Sequence, residues 1–352
     1  MTGTRRVTRG AVEIRTQRVP HFLGGGRIGI QDRPIPYPEA GQLLLRIRAN
    51  ALCGTDRAQL RDGSSVTPGH EAAGEVVEVG FGTSTAIGTQ GVVFLMDFCG
   101  ACRSCRDGAT NQCLAKRGDM GFTHDGGLGQ LELVHESNFF ATGPDIDPAE
   151  ATLLLDVMGT TSHALGRARA VGDDIRSLLV AGAGPIGLGT VAMAHLLWKG
   201  VRVVVADLIP YRLALAQRLG AQTIDLRGQG LGAELRAIGF DRDGADVAID
   251  TSGRGQSRRS LLDALGRRGV LVCVGHGEDL TLSVSDDLII PERTVMGSEY
   301  FRYDAFPANL ALLRGNLDYL GQLITHRFGI GDLQAAYDLF FTGQTGKVVV
   351  EQ

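Results

Sequence analysis

Four closely spaced cysteines are the most specific chemical feature of the sequence. Cys99, Cys102, Cys105 and Cys113 follow the pattern C-x2-C-x2-C-x7-C. Four thiolates at such spacings can enclose one zinc ion tetrahedrally and leave no position open, which is typical of a structural metal site. The loop between them is polar, so the metal would supply its folding energy. An iron–sulfur cluster and a zinc ribbon that contacts nucleic acid are the alternative interpretations.

A glycine-rich turn further along the chain has the spacing of a dinucleotide-binding site. The run Gly182-Ala-Gly184-Pro185-Ile186-Gly187 is a G-x-G-x-x-G motif that follows an apolar strand and opens a helix. Its glycines permit a tight turn, the close approach of a pyrophosphate, and packing of the helix on the strand. The amide donors of the helix N-terminus then face the phosphates. The alternative is a glycine-rich turn that binds no nucleotide.

An acidic residue beyond this turn indicates which dinucleotide binds. Asp207 lies 20 residues after the last glycine of the motif, at the end of the second strand. A carboxylate there accepts hydrogen bonds from both ribose hydroxyls of adenosine and repels a 2′-phosphate, so we predict NAD rather than NADP. Arg212 follows five residues later, and we interpret it as stacking near the adenine or pairing with Asp207.

The elements that must position these residues differ between the two halves of the chain. The first 150 residues are β-rich, with strand-like runs at 43–49, 74–79, 92–95 and 130–135 separated by turn residues. Asp147 and Pro148 then predict a helix start, with the Asp as N-cap. Beyond residue 176, strands at 177–181, 201–206, 245–250, 269–274 and 294–296 alternate with helices that include 185–199 and 210–219, and 347–350 is the last strand. This alternation predicts a parallel sheet covered on both faces.

Length, charge and composition exclude several classes of protein. The 352 residues favour two domains, and the formal net charge of −4 gives no electrostatic basis for binding nucleic acid or a membrane surface. Residues 178–198 carry no Asp, Glu, Lys or Arg, but glycines and a proline divide them into a strand, a turn and a helix, which excludes a membrane span. The N-terminus MTGTRRVTRG lacks the apolar segment of a secretory signal, so we predict a cytoplasmic protein with metal-binding cysteines rather than disulfides.

Two further motifs complete a pattern of four that occur in a fixed order. Cys53-Gly-Thr-Asp56 is followed, 17 residues after the cysteine, by His70-Glu71. Together with the cysteine cluster and the G-x-G-x-x-G turn, this order resembles the zinc-dependent medium-chain alcohol dehydrogenases. It is closest in pattern to the polyol (sorbitol) and threonine dehydrogenase branch, because of the CGTD and GHE motifs, the segment 121–127 and the short loop between Cys53 and His70.

The resemblance implies an α/β fold with two domains. A doubly wound parallel-sheet (Rossmann) NAD domain is expected over residues 157–300. A β-rich, partly open barrel (GroES-like) catalytic domain is expected over 1–156, with the zinc lobe at about 96–117, and the chain would return to it over 301–352. The resemblance also implies a homo-oligomer, either a dimer or a tetramer.

The resemblance assigns roles around a catalytic zinc ion. Cys53 and His70 would bind the zinc, and Glu71 would enter or leave its coordination shell. Asp156 would bind the zinc directly or through a water molecule. Asp56 would orient His70 through a hydrogen bond.

The same resemblance assigns the proton route and the nicotinamide contacts. Thr55 would accept the proton of the alcohol. Ala58 stands where many relatives carry a histidine that passes this proton to solvent, so the route would end at a cofactor ribose hydroxyl and water. Four residues would lie at the nicotinamide ring and its carboxamide: Val274, Gly275, His276 and Ser298. Glu299, which follows Ser298, would border the carboxamide as well.

The predicted function is the reversible oxidation of a secondary alcohol to a ketone, with hydride transfer to NAD. Zinc in a shell of three protein ligands would act as the Lewis acid on the alcohol oxygen, and a second zinc would be structural. The expected substrate is a polyol, a cyclitol or aminocyclitol, or a hydroxy amino acid. Two alternatives stay open: a zinc-free quinone or enone reductase of the same superfamily, and a non-catalytic regulator that binds zinc and a nucleotide.

Overall fold

Two large sheets organise the structure, which is a computed structural model that describes residues 15–172, 174–228, 230–240 and 244–352. The prediction that MTGTRRVTRG is not a secretory signal lies outside these residues. Within the described ranges, every helix is too short or too polar to span a bilayer. The charge-free run 178–198 folds, as predicted, into a strand, a turn and a helix.

Strands make up most of the regular secondary structure in the first part of the chain, as the sequence predicts. Its longest strand runs from Gln42 to Ala51 and buries Leu43, Leu45 and Ile47 in a common core. Helices α1 (Asp56–Asp62) and α2 (Arg103–Arg106) interrupt the strands. The strands are β1 (Thr16–Gly24), β2 (Arg27–Pro34), β3 (Gln42–Ala51), β4 (Ala72–Val79), β5 (Gln90–Val93), β6 (Met96–Asp97), β7 (Gly118–Asp119), β8 (Leu131–His135) and β9 (Phe139–Ala141).

A short helical segment leads from the first sheet towards the second. Asp147 caps α3 (Pro148–Ala151) by accepting a hydrogen bond from the Ala149 N–H, as the sequence predicts. The helix then stops, and a 3-10 turn and a π-helical turn (Asp156–Thr160) precede α4 (Thr161–Arg169). The helix that Asp147 begins is therefore short, because Leu155 has non-helical φ and ψ angles of −79° and −113°.

The second sheet is parallel and buried on both faces. It consists of β10 (Ser177–Ala181), β11 (Arg202–Asp207), β12 (Gln222–Asp225), β13 (Ala245–Asp250), β14 (Leu265–Cys273) and β15 (Thr294–Gly297). Their order is β12-β11-β10-β13-β14-β15, the doubly wound order in which ligands bind at the carboxyl ends of the strands. Leu178 and Val180 face one core whereas Leu179 and Ala181 face another. The helices that cover the sheet are α5 (Pro185–Leu197), α6 (Pro210–Arg218), α7 (Leu231–Ala237) and α8 (Gly255–Ala264).

The last residues return to the first sheet. Helices α9 (Phe306–Gly315), α10 (Leu317–Leu320) and α11 (Leu333–Thr342) alternate with β16 (Ile324–Gly329) and β17 (Lys347–Glu351). The sheet order is β16-β17-β3-β4-β5-β9, with β8 also paired to β3, and it is open rather than a closed barrel. The predicted fold class is confirmed, whereas the division at residues 156 and 300 stays a prediction.

Several predicted boundaries are wrong by a few residues. Helix α5 ends at Leu197 rather than at 199, because Trp198 adopts an extended conformation. Strand β14 begins at Leu265 rather than at 269, and it passes through Arg268 at a φ of +61°. Such an irregular strand has no simple apolar pattern from which its start could be read.

Candidate active site

Four potential metal ligands from three parts of the chain converge in the buried interior. Cys53 follows β3, His70 and Glu71 precede β4, and Asp156 begins the π-helical turn. One ligand atom of each lies within 4.8 Å of all the others, and all four residues are buried. Asp156 Oδ2 is 3.2 Å from Cys53 Sγ and 3.6 Å from His70 Nε2. The structure thus brings together the whole set that the resemblance implies.

A carboxylate behind His70 sets the direction of the ring. His70 Nδ1 lies 3.3 Å from Asp56 Oδ1, and the ring packs against Phe122 with 4.9 Å between centroids. Asp56 Oδ2 in turn accepts hydrogen bonds from the Cys53 N–H (3.0 Å) and the Tyr337 hydroxyl (2.9 Å). A carboxylate at Nδ1 favours the tautomer that leaves Nε2 free for a metal. This arrangement fits the positioning role predicted for Asp56.

A buried lysine forms an ion pair with Glu71. Strand β3 lies between β4 and β17, so Glu71, just before β4, and Lys347, at the start of β17, come to the same end of the sheet. Both side chains are fully buried, and Lys347 Nζ forms an ion pair with Glu71 Oε1. Glu71 Oε2 has no hydrogen-bond partner among the described residues.

The electrostatics of this cluster favour a cation. Burial and the nearby charge of Asp156 raise the pKa of Glu71 to about 8, although Lys347 opposes the shift. Burial also acts to raise the pKa of Asp156, but contacts with His70 hold that pKa below its ordinary value. A metal ion would supply the positive charge that stabilises these deprotonated ligands. A thiol, an imidazole and carboxylates form a donor set that fits zinc, and the orphaned Glu71 Oε2 supports the same conclusion.

The residue predicted to accept a proton lies two positions after Cys53 in the chain. Thr55 is the N-cap residue of α1, is exposed, and makes no side-chain hydrogen bond to the helix. Ala58 is exposed on the same helix, one turn further on. The Thr55 hydroxyl is therefore not engaged in capping the helix.

The four cysteines of the lobe form a second compact cluster. Their four sulfur atoms all lie within 4.8 Å of one another. The Sγ–Sγ distance is 3.5 Å between Cys102 and Cys105 and 3.9 Å between Cys102 and Cys113. A zinc tetrahedron with Zn–S bonds of about 2.3 Å has edges of roughly 3.8 Å. Backbone N–H groups, including that of Leu114, donate to the sulfurs and lower the pKa of Cys102 to about 6. The lobe therefore fits a closed tetrathiolate site.

The glycine-rich turn has the shape of a dinucleotide cradle. Gly182 has a φ of +94°, which favours glycine, and a Cβ on Gly187 would lie 1.8 Å from the carbonyl oxygen of Gly182. Asp207 Oδ2 accepts a hydrogen bond from the Ala183 N–H (2.5 Å), and Oδ1 accepts one from the Ile209 N–H (2.8 Å). The carboxylate thus holds the turn in place. Arg212 lies beside Gly184 and forms no ion pair with Asp207 among the described residues.

A cavity of about 710 Å³ adjoins the loop after β14. The four residues predicted at the nicotinamide all line it, but none of the four metal-ligand residues does. The N–H groups of Val274 and Gly275 both donate to Asp250 O, and Arg258 donates to the Gly275 carbonyl. These three backbone groups of the loop are therefore already engaged within the protein. The hydroxyl of Ser298 is buried without a hydrogen-bond partner among the described residues.

Comparisons with known proteins agree with this geometry. Residues 39–144 match the family model described as "Alcohol dehydrogenase GroES-like domain", and residues 185–315 match "Zinc-binding dehydrogenase". An L-threonine 3-dehydrogenase of Anaeromyxobacter sp. (strain Fw109-5) is 31% identical over 341 residues, which cover 92% of this chain and 95% of that protein. The chain belongs to the zinc-dependent medium-chain alcohol dehydrogenase family.

Solved structures of more distant proteins share the fold. An alcohol dehydrogenase from Escherichia coli CFT073, crystallised with NADH, superposes with a TM-score of 0.87 at 24% identity and covers 96% of this chain and 99% of its own. The 2R,3R-butanediol dehydrogenase of Bacillus subtilis gives a TM-score of 0.83 at 24% identity, with 96% and 99% coverage.

Family membership confirms the predicted function at the level of a zinc-dependent oxidoreductase that acts on hydroxyl groups with a nicotinamide cofactor. Two residues near the site were missed in the sequence, Lys347 and Tyr337. A lysine at the start of an otherwise apolar strand is a signal for the first, whereas nothing local distinguishes the second.

Proposed function

We propose that the protein oxidises a secondary alcohol reversibly to a ketone, with zinc held by Cys53, His70 and Asp156 and with Glu71 adjoining it. The convergence of these four buried residues within 4.8 Å of one another carries the proposal. Three protein ligands leave a coordination position for substrate, as in other catalytic zinc sites. A zinc-free reductase has no use for such a set.

Thr55 accepts the proton of the alcohol. When bound, zinc supplies Lewis-acid activation of the substrate oxygen and the nicotinamide supplies the hydride acceptor. The Thr55 hydroxyl is exposed, two residues from Cys53, and is not engaged in capping α1. The methyl group of Ala58 cannot continue a proton relay, so a ribose hydroxyl of the bound cofactor and water would take the proton from Thr55.

NAD is the proposed dinucleotide. Asp207 is held in one orientation by two backbone N–H groups, and its negative charge repels a 2′-phosphate at the adenosine ribose. On the other side of the cofactor, Val274, Gly275, His276 and Ser298 border the nicotinamide. The catalytic unit over residues 1–156 and 301–352, the NAD-binding unit over 157–300, the second zinc in the cysteine lobe and a homo-oligomeric assembly belong to the same proposal.

The substrate carries a polar group beside the reacting hydroxyl. His276 Nε2 and Glu299 Oε2 are 3.4 Å apart and line the cavity. The hydrogen bond from His276 lowers the pKa of Glu299, while burial and the charge of Asp156 oppose the shift. A half-exposed carboxylate under the influence of Asp156 suits a second hydroxyl or an ammonium group. Its presence, with relatives named as L-threonine 3-dehydrogenases, favours polyols, cyclitols, aminocyclitols and hydroxy amino acids.

A pair of Thr55 variants tests the mechanism. Thr55→Ala should lower turnover by about 10²–10⁴-fold, the usual effect of losing a general acid–base group, whereas Thr55→Ser should retain most activity. Zinc content and NADH binding should stay near wild type in both. The assay is NADH production with the best compound from a panel of polyols, cyclitols and hydroxy acids. Wild-type turnover in Thr55→Ala, with a deuterium isotope effect showing that hydride transfer limits the rate, would contradict the role of Thr55.

A further inference from the structure

Two arginines from distant parts of the chain lie beside residues 341–343, and one of them also borders the glycine-rich turn. Arg212, in the first turn of α6, has Nη1 3.7 Å from the position that a Cβ on Gly184 would occupy, and its Cζ lies 3.6 Å from the corresponding position at Gly343. Its Nε is buried and has no hydrogen-bond partner among the described residues. The guanidinium is therefore held between the start of α5 and the end of α11 without a counterion.

The second arginine comes from the helix that follows the catalytic cysteine. Arg57 lies on α1, and its guanidinium carbon is 4.2 Å from the ring centroid of Phe341, two residues before Gly343. This cation–π contact holds an exposed side chain in place. Neither Arg57 nor Arg212 forms an ion pair with a residue in the described part of the chain.

Their positive charges act on each other. Burial lowers the pKa of Arg212, and the charge of Arg57 lowers it further, while Asp207 opposes the shift. Two unpaired cations close together in a partly buried place repel each other unless an anion lies between them. The anion that the proposed function brings to this turn is the pyrophosphate of the dinucleotide.

We propose that Arg57 is a binding residue for the pyrophosphate of the cofactor, acting together with Arg212. The inference rests on the proposed use of a nicotinamide dinucleotide. The contact with Phe341 preorganises the Arg57 guanidinium, so less side-chain entropy is lost when the phosphates bind. The neutral ribose and adenine do not need this second cation. The segment that carries Cys53 and Thr55 thereby also contacts the cofactor.

The test compares ligands that differ in their phosphates, with the zinc-loaded protein. Binding of NADH and of NADPH is followed by fluorescence, and ADP and adenosine are used as competitors. Arg57→Met should weaken the binding of NADH and ADP by about tenfold or more, as expected for losing charge-assisted hydrogen bonds. The binding of adenosine should be unchanged. Arg57→Lys should recover part of the loss. Arg61→Met is the matched control, since Arg61 lies on the same helix and pairs with Asp62 at the surface.

Three results would overturn the inference. One is that the Arg57→Met variant binds NADH and ADP as tightly as the wild-type protein and the Arg61→Met variant do. Another is an equal loss for adenosine, which would indicate a general disturbance of the site. The third is a loss confined to NADPH, which would place Arg57 at a 2′-phosphate instead. Wild-type protein that binds neither NADH nor NADPH would contradict the proposed function itself, so the two failures are distinguishable.

Discussion

A carboxyl group in the core of the first sheet should make the stability of the protein depend on pH. Glu132 lies on β8 opposite Leu45, on the face that buries Val134, and is 1% exposed. Neither of its carboxyl oxygens has a hydrogen-bond partner in the described chain. Burial, with a smaller effect of Asp125, raises the pKa of Glu132 well above its ordinary value of 4.5. The folded protein therefore retains a proton that the unfolded chain releases.

The direction and size of the effect follow from proton linkage. Below pH 4.5 the carboxyl is protonated in both states, so it causes no pH dependence. Between that pH and the raised pKa, the folded state binds one more proton, and the free energy of unfolding falls by about 1.4 kcal/mol per pH unit. Glu132→Gln should remove this slope. Glu132→Met should also remove the unpaired oxygens, which adds about 1–3 kcal/mol to the free energy of unfolding at all pH values.

Urea unfolding followed by circular dichroism, at several values from about pH 5 to about pH 8, measures the slope. Hydrogen exchange of the segment 131–135 provides a local measurement of the same opening. Glu39→Gln is the control, since Glu39 is exposed. The reasoning is refuted if the difference in unfolding free energy between wild type and Glu132→Gln is constant over this range, or if Glu132→Met is less stable than wild type.

Three further predictions concern the site. Cys102→Ser should mainly lower the thermal stability and Cys53→Ser should mainly lower the turnover, because only Cys102 closes a structural loop. Elemental analysis should find the loss of one zinc ion in each variant. Equal effects of the two substitutions on stability and turnover would contradict the assignment. Asp207→Ala should narrow the preference for NAD over NADP, measured as the ratio of kcat/KM values, since the charge that repels the 2′-phosphate is gone; wild type that uses NADP better would show the assignment to be wrong. Lys347→Met should lower the free energy of unfolding by about 3–5 kcal/mol, because it leaves Glu71 buried without a counter-charge, and adding Glu71→Gln should recover part of the loss; an unchanged urea midpoint in Lys347→Met would contradict this.

Features whose parts lie close together in the chain were predictable from the sequence. Cys99 and Cys113 are 14 residues apart and lie in one short lobe, so their spacing alone brings the thiols within reach of one ion. The glycines of the dinucleotide turn work within a single strand–turn–helix unit, whose apolar strand and proline-led helix are visible in the sequence. The alternation of strands and helices likewise predicted a parallel sheet buried on both faces, and the resemblance added the order of the motifs.

Features that depend on the packing of distant elements were decided by the tertiary structure. Cys53 and Asp156 are 103 residues apart, and only the resemblance connected them. Glu71 and Lys347 are separated by 276 residues and meet because β3 pairs with both β4 and β17. The contact of Arg57 with Phe341 depends on how α11 packs beside α1. Glu132 stands between Leu131 and Leu133, the position of a solvent-facing residue in an alternating strand, and its burial depends on which face of β8 the sheet covers. Local spacing determines contacts within one turn or loop, whereas strand order and register determine which distant side chains share a site.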